Sequence, residues 1–271
     1  MEHHFHLSAI LKNLPQDHPW GSRIHFYDCV ESTNTLAKTM AAGGAPHGTV
    51  LIADRQTLGR GRLGRSFLSP GGAGIYLSVI LRPDCLPREL MHLTCAAAAA
   101  MCDAVEKATG LRPGIKWTND LVHGKRKLAG ILTELGLDSS TGKISYAVVG
   151  IGINCCQKEG DFPPELQNIA ASLAMVTGNE IDRSTLAAAM IDALEGMDRQ
   201  LLAKKTAILN AYRANCVTLG QEVSVVRGAE IRHGTALDID EDGALVVRFT
   251  DGPTEAVSSG EVSIRGMYGY V

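Results

Sequence analysis

Gly59-Arg60-Gly61-Arg62-Leu63-Gly64-Arg65 interleaves three glycines with three arginines. The glycines let the backbone take positive φ and approach a ligand closely. The arginines supply planar, permanently charged forks that match carboxylate and phosphate. Such a stretch describes an anion clamp, although arginine- and glycine-rich segments also bind nucleic acid without folding. The flanks select between the two. Val50-Leu51-Ile52-Ala53 precedes the stretch and Ile75-Tyr76-Leu77-Ser78-Val79-Ile80-Leu81 follows it, both short apolar runs that read as buried strands. The loop is therefore held at both ends by a sheet, unlike a free tail.

Outward from this loop the chain alternates strands and helices. Residues 24–29 read as a strand and 32–40 as a short helix, capped by Ser32 or Thr33 and stopped by Gly43-Gly44. Residues 1–22 read as a leader or short first helix, too few to hold a helix-turn-helix unit. The spacing predicts one long helix over 87–109, opened by Pro87 and closed by Gly110. Strands are expected at 114–117, 128–135 and 144–153, with a hairpin turn over 138–142. A long helix over 183–205, with Asp182 or Ser184 near its cap, is followed by a further helical turn to Asn215. From Gly220 onward, short β-type runs alternate with turns such as Asp242-Gly243 and Asp251-Gly252. That texture predicts a small SH3-like β-barrel. The expected architecture is α+β, a mixed sheet flanked by helices over 1–217, then a C-terminal barrel over 218–271.

The bulk numbers narrow the function. The 271 residues are 45% hydrophobic and 20% charged, with a net charge of −3. No global basic field favours nucleic acid. The apolar run 93–102 is about half the length of a membrane span, and the N-terminus carries no apolar signal core. The seven cysteines include no CxxC pair, which suits reduced thiols and a cytoplasmic protein.

Four polar clusters interrupt the apolar pattern. They are Ser32-Thr33-Asn34 with Gln56; the Gly/Arg loop; Lys116-Trp117-Thr118-Asn119-Asp120 with Lys127-Leu128-Ala129-Gly130-Ile131-Leu132; and Gly150-Ile151-Gly152-Ile153-Asn154. In this order and spacing, and followed by a β-barrel, they resemble the biotin protein ligases over nearly the whole chain. The resemblance implies the class II synthetase-like fold of biotin and lipoate ligases and a two-step reaction. Biotin and MgATP give biotinyl-5′-AMP and pyrophosphate. The biotinyl group then passes to a lysine of a biotin carboxyl carrier domain.

The resemblance also implies a site. Biotin is assigned to Ser32, Thr33, Asn34, Gln56, Arg60, Gly61, Arg62, Lys127, Gly130 and Leu132. ATP is assigned to Arg60, Arg62, Arg65, Phe67, Asn119, Lys127, Asn154 and Arg265. No protein metal ligands are implied; magnesium is expected to arrive with ATP. Polar hydroxyls and amides suit a ureido ring, and positive charge lets two anions meet. Lys127 and Arg62 are the expected catalytic cations. Asp120 is expected to serve the second step. An ordinary aspartate (~3.9) and an ordinary lysine (~10.4) differ by about six pKa units, so Asp120 is expected to position the incoming ammonium, with proton transfer late.

Ser32 and Thr33 also fit helix capping, Phe67 fits core packing, and Asn119 and Asn154 fit turns. Two positions depart from the family pattern. Thr118 stands where a proline is usual, which removes a fixed φ and is expected to loosen the loop bearing Asp120. Phe67 replaces the usual tryptophan and offers adenine a smaller face. A lipoate-protein ligase is the nearest alternative, disfavoured by the polar set around Asn34. A nucleic-acid module is the other, disfavoured by a barrel with few aromatics. The resemblance is to monofunctional ligases that do not repress transcription, and a homodimer is compatible with it.

Overall fold

The computed structural model describes residues 5–227, 230–258 and 263–266. The larger part runs α1 (Leu7–Asn13), β1 (Ile24–Val30), α2 (Thr33–Ala42), β2 (Thr49–Gln56), β3 (Gly74–Leu81), α3 (Leu93–Thr109), β4 (Gly114–Lys116), β5 (Asp120–His123), β6 (Arg126–Leu137), β7 (Ile144–Asn154), α4 (Leu173–Thr177), α5 (Arg183–Gln200) and α6 (Lys205–Asn215). Its strands form one mixed sheet in the order β1-β2-β3-β7-β6-β5-β4. Only β1 and β2 run parallel, joined by the α2 crossover; the other pairs are antiparallel.

Alternation along the strands serves two layers. Val50, Ile52, Val79 and Val149 face a large core completed by α3 and α5. Leu51, Ile80 and Val148 face α2 on the opposite side. Every residue of β3 is buried, as a central strand covered on both faces requires. The alanines of α3 at 96–100 are buried too, which allows close approach of α5.

The structure differs from the sequence reading in three places. Pro87 opens a separate 3₁₀ turn, Pro87–Leu90, fastened by Leu86 N–H donating to Glu89 Oε2 at 2.9 Å, and α3 starts only at Leu93. The helix from Arg183 ends at Gln200, and α6 is a full helix rather than one turn. Strand β5 was not expected: its four residues include Asp120 and His123, which mask a strand pattern. Gly110 ends α3 with φ 74°, as its position predicts.

The C-terminal part holds β8 (Glu222–Arg227), β9 (Glu230–Ile239), β10 (Leu245–Phe249), β11 (Thr254–Val257) and β12 (Ser263–Gly266). They form a separate antiparallel sheet, β11-β10-β9-β8-β12, that fits an SH3-like domain. Its 240–243 turn reaches the larger sheet, where Trp117 Nε1 donates to Gly243 O at 2.9 Å. No helix among the described residues is long and apolar enough to cross a membrane.

Candidate active site

The start of α2, the end of β2 with its loop, the β4–β5 hairpin, the start of β6 and the end of β7 surround one cleft. Its inner wall is neutral and polar. Ser32 caps α2, accepting from Thr35 N–H at 3.5 Å. Gln56 Oε1 accepts from Thr33 N–H at 2.8 Å, and its Nε2 donates to Ser69 Oγ at 3.0 Å. Asn34 Nδ2 donates to Leu132 O and to Glu134 Oε2, both at 3.1 Å. Asn34 Oδ1 accepts from the buried Ser78 hydroxyl at 2.6 Å, and Ser78 Oγ also lies 2.8 Å from Thr33 Oγ1. Both ends of the Asn34 amide are thus assigned, which fixes its orientation.

The opposite wall is charged. The loop closes as a small hairpin, with Gly61 N–H donating to Arg65 O at 2.7 Å and Phe67 N–H to Gly59 O at 2.9 Å. Gly59 is required there, because a Cβ would lie 2.3 Å from Phe67 O. Arg62 Nη1 donates to Asn119 Oδ1 at 2.8 Å, tying the loop to the β4–β5 hairpin. Lys127 Nζ lies 2.6 Å from Asp120 Oδ1. The Lys127 backbone is clamped on both sides, its N–H donating to Ile169 O at 2.8 Å and its carbonyl accepting from Ala171 N–H at 2.9 Å. The strand register sets Gly130 opposite Asp120, and a Cβ there would lie 3.1 Å from Lys127 Nζ.

Fourteen of the sequence-assigned residues line the cleft: Ser32, Thr33, Asn34, Gln56, Arg60, Gly61, Arg62, Arg65, Phe67, Asn119, Asp120, Lys127, Gly130 and Leu132. Asn154 is not brought in. It is buried, donates Nδ2 to Ala171 O at 3.1 Å and accepts from Gln157 Nε2 at 3.2 Å. Arg265 lies on β12 opposite Ser224, and its side chain lies outside the described residues.

Residues 26–154 match the Biotin/lipoate A/B protein ligase family, and 218–265 match the Biotin protein ligase C terminal domain. The chain is 34% identical to the Bifunctional ligase/repressor BirA of Bacillus subtilis, over 86% of this chain and 71% of that one. It is 35% identical to a Biotin–[acetyl-CoA-carboxylase] ligase of Mycobacterium tuberculosis, over 85% of each. The chain belongs to the biotin protein ligase family. Its fold is similar to that of the Aquifex aeolicus biotin protein ligase solved with biotin and ATP, with a TM-score of 0.76 and 29% identity over 90% of this chain and 99% of that one.

Several residues that shape this ligase's cleft carry no obvious chemistry in the sequence. Gly150 and Gly152 are needed for space: a Cβ would fall 1.8 Å from Asn34 Oδ1 at the first and 2.6 Å from the Phe67 ring at the second. Ser78 is one small residue in an apolar strand. Behind Asn34, Glu134 pairs with Lys38 at 2.7 Å. Burial pushes the Glu134 carboxyl up, but the bonds from Lys38 and Asn34 outweigh it and leave it below its usual range. Lys116 lines the cleft as well. Burial pulls its amine down, opposed by Asp120 and reinforced by Lys127 and Arg65, to about 8.

The backbone at Thr118 is hydrogen-bonded on both sides. Trp117 N–H donates to Thr218 Oγ1 at 2.9 Å, and Thr118 O accepts from the buried Tyr212 hydroxyl at 3.1 Å.

Proposed function

We propose that the cleft activates biotin with ATP and passes it to a lysine of a biotin carboxyl carrier domain. One observation carries this reading: a neutral wall of fixed hydroxyls and amides faces a wall holding Arg62, Arg65 and Lys127. The first suits a ureido ring, whose donors and acceptors need partners already in place. The second suits two anions that must be forced together.

In the activation step, the biotin carboxylate attacks the α-phosphorus of ATP, giving biotinyl-5′-AMP and pyrophosphate. Arg62 and Lys127 offset the repulsion and stabilise charge spreading over the phosphoryl oxygens. Arg60 and Arg65, exposed on the hairpin, draw in the phosphates. Phe67, packed over Gly152 and edge-on to Tyr76 at 6.4 Å, offers adenine one face. Among the described cleft residues the one carboxylate, Asp120, is paired with Lys127. In this reading magnesium arrives on the nucleotide's phosphates.

In the transfer step, the carrier lysine attacks the adenylate carbonyl and AMP leaves. Asp120 steers the incoming ammonium. Residues 1–217 form the catalytic part and 218–271 the C-terminal part in this reading. The partner is a biotin-dependent carboxylase in the cytoplasm, not nucleic acid, and the net charge of −3 supports that.

Intact-mass analysis of an apo carrier domain tests the reading. Incubation with the ligase, ATP and biotin is expected to add one biotinyl group at one lysine. Addition of a lipoyl group instead, with biotin ignored, would move the assignment to lipoate ligases.

A further inference from the structure

Asn34 lies in the first turn of α2 and lines the cleft. Its amide has an oxygen that accepts and a nitrogen that donates, so a ligand meets a different group according to which is left to it. The Ser78 hydroxyl does not decide the matter, because it serves an oxygen by donating and a nitrogen by accepting. Leu132 O and the Glu134 carboxylate do decide it, since both only accept. They take the two N–H groups of Asn34, each at 3.1 Å. A turned amide would set its oxygen against two acceptors.

Glu134 stands two residues beyond Leu132 on the same face of β6, and Lys38 one helical turn beyond Asn34 on α2. Lys38 Nζ donates to Glu134 Oε1 at 2.7 Å, while Oε2 serves Asn34. One carboxylate thus holds a lysine with one oxygen and the asparagine with the other. We propose that Glu134, held by Lys38, is a positioning residue for substrate choice. It fixes the Asn34 amide so that only the oxygen is left to the cleft, and the ligand group that meets Asn34 must be a hydrogen-bond donor. The proposal rests on the biotin reading of this wall. A ureido N–H meets the requirement, and the dithiolane ring of a lipoyl group does not.

Glu134→Gln tests this, because it keeps the size of the side chain but leaves it one acceptor. The Lys38 ammonium only donates, so it claims the introduced amide oxygen and turns the introduced NH₂ towards Asn34. Asn34 answers with its own oxygen, and its nitrogen is left to the cleft. Calorimetric titration of the full-length protein with biotin compares wild type, Glu134→Gln, Glu134→Ala and the double variant Lys38→Met/Glu134→Gln. Glu134→Gln is expected to bind biotin roughly tenfold or more weaker. Glu134→Ala removes an acceptor without installing a donor, and Leu132 O still holds the amide, so its loss should be only about a few-fold. Without Lys38 the introduced oxygen is free to turn back to Asn34, and the double variant should recover to within about threefold of wild type. Packing alone gives the opposite order, with the near-isosteric Glu134→Gln milder than Glu134→Ala and no recovery on losing Lys38. A Glu134→Gln protein that binds biotin as well as Glu134→Ala does overturns the proposal, and so does a double variant no tighter than Glu134→Gln. Should Glu134→Gln fail to fold, unchanged affinity in Glu134→Ala overturns it too. A wild type that binds no biotin would instead sink the biotin reading itself, a separate failure.

Discussion

A methyl group added at Gly150 would sit 1.8 Å from Asn34 Oδ1, so the Asn34 amide would have to leave its three fixed partners, Leu132, Glu134 and Ser78. Gly150→Ala is therefore expected to weaken biotin binding roughly 10- to 100-fold, about 1–3 kcal/mol for a misplaced buried polar group. Calorimetric titration with biotin checks this, and unchanged affinity would remove Asn34 from the biotin site. Ser78→Ala leaves Asn34 Oδ1 unpaired and should cost a smaller amount, a few-fold in affinity by the same titration. At this scale the sequence singled out residues that the fold does bring to one cleft where their own chemistry stands out, as for Arg62, Lys127, Asp120 and Gln56. It was silent where the task is to hold or to make room. Ser78 acts through an asparagine that is distant in sequence, and Gly150 acts by lacking a side chain. Asn154, whose amide suits a nucleotide, instead bonds Ala171 and Gln157 beside the cleft lining.

Two hairpins carry the charged wall, and they are held differently. The Arg/Gly hairpin closes on itself and meets the β4–β5 hairpin through Arg62 and Asn119. Arg60 and Arg65 are exposed on it, and Leu63 takes φ 55°, a region that disfavours leucine. This hairpin should open without ligand and close over biotin, excluding water from the adenylate. Trypsin cuts after arginine, so biotin is expected to slow cleavage at residues 60–65 severalfold; an unchanged digestion pattern would show that closure does not depend on biotin. The β4–β5 hairpin is pinned from below by Trp117. Trp117→Phe leaves Gly243 O buried with only the weak Cys95 Sγ donor at 3.9 Å, which should cost about 1–2 kcal/mol and lower the melting temperature by several degrees. Period and turn residues revealed most elements, including the C-terminal strands between Asp-Gly turns. They failed at β5, a four-residue strand that forms only because β4 and β6 flank it. They failed again at Pro87, where the same residue can open an α-helix or a 3₁₀ turn.

Across the whole molecule, the two sheets meet beneath the site. Gly243, with φ 86° and no room for a Cβ beside Cys95 Sγ at 2.9 Å, brings its turn against Trp117. Arg213 on α6 adds a bond to Asp238 on β9 at 2.9 Å. The C-terminal sheet thus braces the hairpin that carries Lys116 and Asp120. The change of texture near Gly220 foretold a second sheet, but nothing local marked Gly243 as its point of contact, because the partner lies more than a hundred residues away. The account depends most on Lys127. It is held by backbone on both sides and paired with Asp120 while only 27% exposed. Biotin-dependent exchange of pyrophosphate into ATP, in wild type and Lys127→Ala, tests that dependence directly. Exchange with biotin and not with lipoate, falling roughly 10²- to 10³-fold in the variant at an unchanged melting temperature, is the predicted result. Exchange that survives the loss of Lys127 would contradict the account.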